Sequence, residues 1–160
     1  MAGGTLDRNG VILTCPNCGR ANRVRYDVLD KTTRCGHCKT ELRPPEAPIE
    51  AGDSAAFDAA ATASVLPLVV DFWAPWCGPC RMVAPELERV ARATAGRYLV
   101  VKVNTDALAD LGERFRIMSI PTMTVVHRGR EIARTTGARP AADIQTFVEQ
   151  AVAAEQRRAS

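Results

Sequence analysis

One stretch near the middle of the chain decides the fold: Val69-Val70-Asp71-Phe72-Trp73-Ala74-Pro75-Trp76-Cys77-Gly78-Pro79-Cys80. The valine-rich run from Leu66 to Trp73 is typical of a central strand that is buried on both faces. Pro79 to Ala95 repeats apolar residues at helical spacing, with Pro85 as a kink. The sequence therefore predicts a strand, a Cys-x-x-Cys turn and a helix in direct succession.

This arrangement gives the two cysteines different chemistry. Cys77 is expected at the helix N-terminus, where free backbone N–H groups and the positive end of the helix dipole stabilise a thiolate and lower its pKa. Cys80 is expected one turn inside the helix. We predict that Cys77 is the attacking nucleophile and that Cys80 is the shielded resolving thiol.

Outward from this stretch, the pattern alternates between helix and strand. Asp53 is a candidate N-cap for a first helix, and Arg128-Gly129-Arg130 is a candidate hairpin turn. The remaining predicted elements are strands at Tyr98–Val103, Thr122–His127 and Glu131–Thr135 and helices at Asp106–Phe115 and Pro140–Arg157. The order predicts an α/β fold in which a mixed sheet lies between helices and ends in an antiparallel hairpin.

Composition limits the function classes. The chain has 160 residues, of which 46% are hydrophobic and 24% charged, with a net charge of +3. These values fit a packed protein of one ordinary domain with a small appendage, and they exclude a large multidomain enzyme. The charge is too dispersed for a nucleic-acid groove. With no basic-then-apolar leader and no long apolar run, we expect a cytoplasmic protein without membrane contact.

Two further cysteine pairs precede this domain. Cys15-Pro-Asn-Cys18 and Cys35-Gly-His-Cys38 are separated by 16 residues, the spacing of two knuckles that make one four-thiolate zinc site. Gly19 and Gly36 are expected to supply permissive backbone in the two turns. The first 43 residues hold few apolar side chains, so a metal would supply the missing folding free energy.

A closed site of this kind is structural, because it has no open position for substrate. Two disulfides, a redox-switch pair or an iron centre remain as alternatives, and His37 is expected to be a solvent-facing turn residue. We therefore expect a zinc ribbon over residues 1–43, a proline-rich linker over 44–50 and the α/β domain over 51–157.

The Cys-Gly-Pro-Cys stretch resembles the active site of the thioredoxin family, and together with the zinc ribbon it is similar to the zinc-ribbon-bearing bacterial thioredoxin 2 subfamily. The resemblance covers roughly residues 50–155 and 15–38. Other positions match the family in order and spacing. Asp71 matches its buried acid, Pro85 matches the proline that kinks its helix, and Lys102 matches the lysine near that acid. Ile120-Pro121-Thr122 matches its loop with the cis-proline, and Gly137 matches the glycine of its substrate groove.

The resemblance implies roles for these residues. Asp71, whose pKa desolvation should raise, would exchange a proton with Cys80; the alternative is a strand-end acid satisfied by Lys102. Pro121, if cis, would leave the Ile120 backbone free to pair with an extended substrate. Trp76 and Gly137 would border the substrate groove. Gly78 and Pro79 would tune the potential, since no histidine lies between the cysteines to favour oxidation.

The resemblance implies a reductant of protein disulfides that is recycled by an NADPH-dependent thioredoxin reductase. It implies a monomer that binds one zinc and no organic cofactor. Two other functions remain as alternatives: a disulfide isomerase, and a zinc-dependent redox-sensing chaperone or binding protein. A variant without Cys77 and Cys80 would retain the activity of the second alternative only.

Overall fold

The computed structural model describes residues 4–159. Within this range the α-helices are α1 (Ser54–Ala63), α2 (Gly78–Ala93), α3 (Ala109–Arg114) and α4 (Ala141–Ala159), and a short 3₁₀ helix spans Tyr26–Val28. The strands are β1 (Gly4–Leu6), β2 (Gly10–Thr14), β3 (Ala21–Arg25), β4 (Thr33–Arg34), β5 (Glu41–Leu42), β6 (Ile49–Glu50), β7 (Leu68–Trp73), β8 (Leu99–Asn104), β9 (Thr122–His127) and β10 (Arg130–Thr136).

Five strands form the main sheet in the order β10-β9-β7-β8-β6. Strands β6, β8 and β7 run parallel, whereas β9 runs antiparallel to both β7 and β10. The valine-rich strand β7 is central and almost wholly buried, as its composition predicts. The mixed sheet with an antiparallel hairpin at one edge confirms the predicted fold class.

Helices cover both faces of this sheet. One core cluster joins Phe57 of α1 and Leu111 of α3 to the Val70 side of β7. The other cluster joins α2 and α4 to the Val69 side. Side chains alternate between the faces along a strand, so Asp71 and Trp73 lie on the face that α2 covers.

Most predicted elements are confirmed, with boundaries that shift by a few residues. The Asp53 side chain caps α1 by accepting a hydrogen bond from the Ala56 N–H at 2.7 Å. The hairpin turn is tighter than predicted: Arg128 and Gly129 both have positive φ, and Arg130 already pairs with His127. No helix within residues 4–159 has the length and apolar character to cross a lipid bilayer.

The N-terminal region packs against the rest of the chain. Strands β1, β2 and β3 form an antiparallel sheet, and their buried side chains join the same core cluster as α1 and β7. Leu29 and Val11 belong to this shared cluster, and the Val65 N–H donates to the Tyr26 carbonyl at 3.0 Å. The sparse apolar residues of this region are therefore stabilised by a larger core.

The predicted linker over residues 44–50 ends in a strand, which corrects the sequence analysis. Ile49 and Glu50 form β6 and pair in parallel with Val101 and Lys102. Pro48 is the last proline before this point, so both residues keep the N–H groups that a sheet requires. The main sheet thus begins inside the segment predicted to be a connection.

We expect Leu29→Ala to lower the free energy of unfolding of the whole chain by about 2–5 kcal/mol, because it leaves a cavity in the shared core. Denaturant unfolding followed by tryptophan fluorescence tests this, since both tryptophans lie in the larger part of the chain. Lys31→Ala, at an exposed position, is the control. An unchanged midpoint for Leu29→Ala would show that the two parts unfold independently.

Candidate functional site

The Cys-x-x-Cys pair lies where β7 ends and α2 begins. Cys77 is the N-cap residue of α2 and Cys80 lies in its first turn; the two are disulfide-bonded, with Cα atoms 5.3 Å apart. The Cys80 N–H points at Cys77 Sγ from 3.2 Å. An amide donor and a helix N-terminus both stabilise negative charge on sulfur, so this position favours a thiolate at Cys77 once the disulfide is reduced.

A loop before β9 lies against this disulfide. The Ile120–Pro121 peptide bond is cis, and the Ile120 carbonyl oxygen lies 3.9 Å from Cys77 Sγ. The Pro121 carbonyl accepts a hydrogen bond from the Gly137 N–H at 2.9 Å. Gly137 has a φ of +92°, a conformation that favours glycine. The structure thus brings Pro121, Ile120 and Gly137 together beside the cysteines.

The segments that carry the disulfide and the cis-proline loop also hold exposed apolar side chains. Trp76 is 67% exposed, and Met82 and Met118 are 70% and 92% exposed. The Trp76 indole N–H donates to Asp106 at 3.1 Å, which fixes the ring at the rim. Asp106 is absent from the sequence-based site. Its signal in the sequence is the Asn-Thr-Asp segment after a predicted strand, which forms a turn in which the Asn104 side chain accepts from the Asp106 N–H.

Asp71 is buried beneath the site. It is 1% exposed, and its Oδ1 atom has no hydrogen-bond partner. Burial raises the pKa of Asp71 to about 7, although Lys102 on the adjacent strand opposes the shift. Within the described residues no ion pair of 4.0 Å or less joins Asp71 to Lys102, so direct pairing with that lysine is not observed.

Lys102 contacts an aromatic ring. Its ammonium nitrogen lies 4.6 Å from the centre of the Trp73 ring, and the Trp73 indole N–H donates to Glu50 Oε2 at 3.1 Å. Glu50 lies in the segment predicted to be a linker, so the sequence analysis missed it. No pattern in the neighbouring sequence assigns Glu50 to the site, because its proximity to the site depends on the pairing of β6 with β8.

The four N-terminal cysteines converge at one point. Their Sγ atoms all lie within 4.8 Å of one another, the closest being Cys15 to Cys38 at 3.6 Å and Cys18 to Cys35 at 3.7 Å. None of the four forms a disulfide. Four sulfur donors at this separation could hold a metal ion that prefers tetrahedral thiolate coordination.

The two cysteine turns share one backbone geometry. The Gly19 N–H donates to the Cys15 carbonyl, and the Lys39 N–H donates equivalently to the Cys35 carbonyl, each at 3.0 Å. Gly19 and Lys39 both have positive φ, +78° and +65°. The prediction that Gly36 supplies permissive backbone is therefore wrong: in the second turn the left-handed position falls one residue after the second cysteine, on Lys39.

Hydrogen-bond donors point at these sulfur atoms. The Asn22 amide lies 3.5 Å from Cys35 Sγ, and the His37 backbone N–H lies 3.4 Å from the same atom. The Asn17 amide, at 3.5 Å, is the largest cause of the lowered pKa of Cys38, whereas the pKa of Cys18 rises to about 11, against a backbone hydrogen bond from Arg20, because of burial and the neighbouring thiols. These donors suit thiolates, the form that binds metal. His37 itself is exposed, as expected for a turn residue.

Comparison with known proteins yields one family. The family model for thioredoxin matches residues 48–150. Thioredoxin C-3 of Corynebacterium nephridii is 36% identical over 147 residues, which are 91% of this chain and 99% of that protein. This similarity extends beyond the segment that the family model matches, into the N-terminal region.

Two further similar proteins differ in how much of their own length matches this chain. The bifunctional thioredoxin reductase/thioredoxin of Mycobacterium leprae is 38% identical over 124 residues, which are 75% of this chain and 27% of that protein. The crystal structure of the Malassezia sympodialis thioredoxin superposes with a TM-score of 0.61 at 27% identity, covering 68% of this chain and 94% of that one.

The raised pKa of Asp71 should make stability depend on pH. Between the unfolded value of 3.8 and about 7, the folded chain keeps a proton that the unfolded chain has released, so the unfolding free energy falls as pH rises. The Asp71→Asn variant has no carboxyl to ionise, so its stability does not fall with pH in this way. We expect the free energy of unfolding of the oxidised variant to be about 2–4 kcal/mol higher than that of the wild type at pH 8, and the two values to become equal near pH 4.

Denaturant unfolding at several pH values provides the measurement. Asp58→Asn is the matched control, because Asp58 is exposed and pairs with Arg114 at 2.6 Å. We expect that variant to be slightly less stable than the wild type at pH 8. Parallel pH curves for Asp71→Asn and the wild type would contradict a raised pKa at Asp71.

Proposed function

The chain belongs to the thioredoxin family, and on this premise we propose that it reduces protein disulfides through Cys77 and Cys80 and carries one structural zinc, as in the zinc-ribbon-bearing bacterial thioredoxin 2 subfamily. The observation that carries the proposal is the Cys77–Cys80 disulfide, located at a helix N-terminus and facing the loop with the cis peptide bond. This arrangement favours a nucleophilic thiolate at Cys77 and leaves room for an extended client beside it.

The proposed reaction transfers two electrons. The Cys77 thiolate attacks one sulfur of a client disulfide, the other client sulfur leaves as a thiolate, and a mixed disulfide forms. Cys80 loses its proton and attacks Cys77 Sγ, which releases the second client thiolate. The client gains two thiols and Cys77–Cys80 becomes a disulfide. Gly78 and Pro79 carry no charge, so the helix N-terminus remains the main stabiliser of the Cys77 thiolate.

Asp71 is proposed as the proton acceptor for Cys80. A carboxyl with a pKa of about 7 is partly ionised at neutral pH, so it can both accept and return a proton. Two observations support this role: Asp71 is buried on the sheet face that α2 covers, and Cys80 is a buried residue of α2. No hydrogen bond to Oδ1 would have to break first. Lys102 tunes this acid from the adjacent strand.

Clients are proposed to bind along the loop around Pro121. The Ile120 backbone would pair with an extended client segment, and Gly137 leaves open space, because no atom beyond its own chain neighbours lies within 4 Å of the position that a Cβ would take. Trp76 offers an exposed apolar face beside the attacking sulfur. These surfaces recognise backbone and apolar side chains, which suits a reductant with many clients.

Recycling requires an electron donor. We infer that an NADPH-dependent thioredoxin reductase supplies it, since the Mycobacterium leprae relative combines both activities in one chain by its name. No organic cofactor need be bound, because the cysteines carry the electrons. Reduction of protein disulfides suits the cytoplasm, where thiols stay reduced, and we propose that the protein acts there as a monomer.

Cys15, Cys18, Cys35 and Cys38 are the proposed zinc ligands. Four sulfur donors, two matched backbone turns and amide donors to sulfur make a closed tetrahedral site that fits Zn²⁺. When bound, the ion supplies structural stability and no catalysis, since the four thiolates leave no open position.

The reduction potential of Cys77/Cys80 tests the proposed function directly. We expect a value near that of thioredoxins, about −270 mV, from equilibration with a dithiol buffer and mass detection of trapped thiols. A value about 90 mV higher, in the range of disulfide isomerases, corresponds to about 4 kcal/mol and would overturn the assignment as a reductant.

Metal content tests the N-terminal site. We expect one zinc per chain by elemental mass spectrometry, and a loss of most of it in Cys38→Ser. Cys80→Ser removes a cysteine outside the cluster and should keep the metal. Intact disulfides among the four N-terminal cysteines, or iron in place of zinc, would contradict this proposal.

A further inference from the structure

Three ionisable side chains lie in one row across the main sheet. Lys102 of β8 is directly opposite Glu50 of β6 on one side and Asp71 of β7 on the other. Residues in register on neighbouring strands point to the same face, so one cation lies between two carboxylates. The next position of the row, on β9, is the uncharged Met123.

A tryptophan links the outer acid to the cation. Glu50 Oε2 accepts a hydrogen bond from the Trp73 indole N–H at 3.1 Å, and the Lys102 ammonium lies 4.6 Å from the centre of the same ring. Glu50 thus holds the ring against which the ammonium rests. Among the described residues, Lys102 forms no ion pair of 4.0 Å or less with either acid.

The two acids differ in their contact with water. Glu50 is exposed, whereas Asp71 is almost fully buried and has an oxygen without a partner. The Lys102 ammonium is attracted to both carboxylates, so the pull of Glu50 draws it away from Asp71 and weakens its attraction to the buried acid. The negative charge of Glu50 also disfavours ionisation of Asp71 directly. Both effects act in the same direction on the buried acid.

We propose that Glu50 is a positioning residue of the redox site, which anchors the Trp73 indole and shares the Lys102 cation so that Asp71 stays unpaired and able to take a proton from Cys80. The part of this inference that concerns proton transfer by Asp71 rests on the proposed function. The effect of Glu50 on the ionisation of Asp71 does not. It assigns a part in the redox site to a residue from the strand that joins the two regions of the chain.

Glu50→Gln separates the charge of this residue from its hydrogen bond. Glutamine keeps an oxygen that accepts from the Trp73 indole N–H, but it carries no charge. We expect the pKa of Asp71 to fall by about 0.5–1 unit relative to the wild type, as loss of one nearby, partly solvated charge would produce. The measurement is NMR titration of the labelled Asp71 carboxyl in the oxidised, full-length, metal-loaded protein.

In the oxidised form the titration of Asp71 can be followed without a titrating cysteine beside it. The charged groups that act on Asp71 are Lys102 from β8 and Glu50 from β6, and the disulfide prevents Cys80, the proposed proton donor on α2, from titrating. Asp58→Asn, which removes an exposed charge paired with Arg114, is the control and should leave the titration unchanged. An Asp71 titration in Glu50→Gln that matches the control would overturn the proposal.

A double-mutant cycle tests whether Lys102 is shared. We expect Glu50→Gln to lower the pKa of Asp71 less when Lys102 is replaced by methionine, because no cation is then released to Asp71. If the two substitutions shift the pKa of Asp71 by strictly additive amounts, Glu50 and Asp71 do not share the Lys102 cation. The pH profile of client reduction should move to lower pH in Glu50→Gln; a titration shift with an unmoved profile would leave the electrostatic effect intact and refute the role of Asp71 as proton acceptor.

Discussion

Strand β7 is hydrogen-bonded on both sides, to β8 and to β9, and the parts of the redox site are held in place relative to it. Its carboxyl end leads directly into Cys77 and α2. Strand β9 begins just after Pro121, so pairing with β7 brings the loop with the cis peptide bond to the cysteines. Strand β8 carries Lys102 and ends in the turn that contains Asp106, the partner of Trp76. One doubly paired strand thus fixes the cysteines, the loop and the buried acid at once.

Much of this arrangement could be predicted from the sequence, because the relevant signals are local. A valine-rich run predicts β7, a helical repeat predicts α2, and an acid within an apolar strand indicates a raised pKa at Asp71. The two cysteine pairs at a fixed spacing predict a cluster without any knowledge of the fold. Each of these inferences needs only a few neighbouring residues.

The features that the sequence analysis missed depend on contacts between distant segments. Strand β6 has only two residues and follows three prolines, so only its pairing with β8 reveals it. Glu50 could not be assigned to the redox site without that pairing. Lys39 takes the left-handed position expected of a glycine, because the hydrogen bonds of the cysteine turn define the backbone there. Packing of β1–β3 onto α1 likewise follows from tertiary structure.

Both edges of the main sheet are poor templates for another strand. Strand β6 is very short, and prolines precede it. At the opposite edge, β10 is interrupted by a bulge between Glu131 and Ala133 and carries the paired charges of Glu131 and Arg134. Short strands, bulges and charges are the features that discourage edge-to-edge aggregation. The proposed pairing with client segments is at Ile120, in a loop beside the cysteines, whereas both edges of the sheet resist pairing with a second copy of the chain.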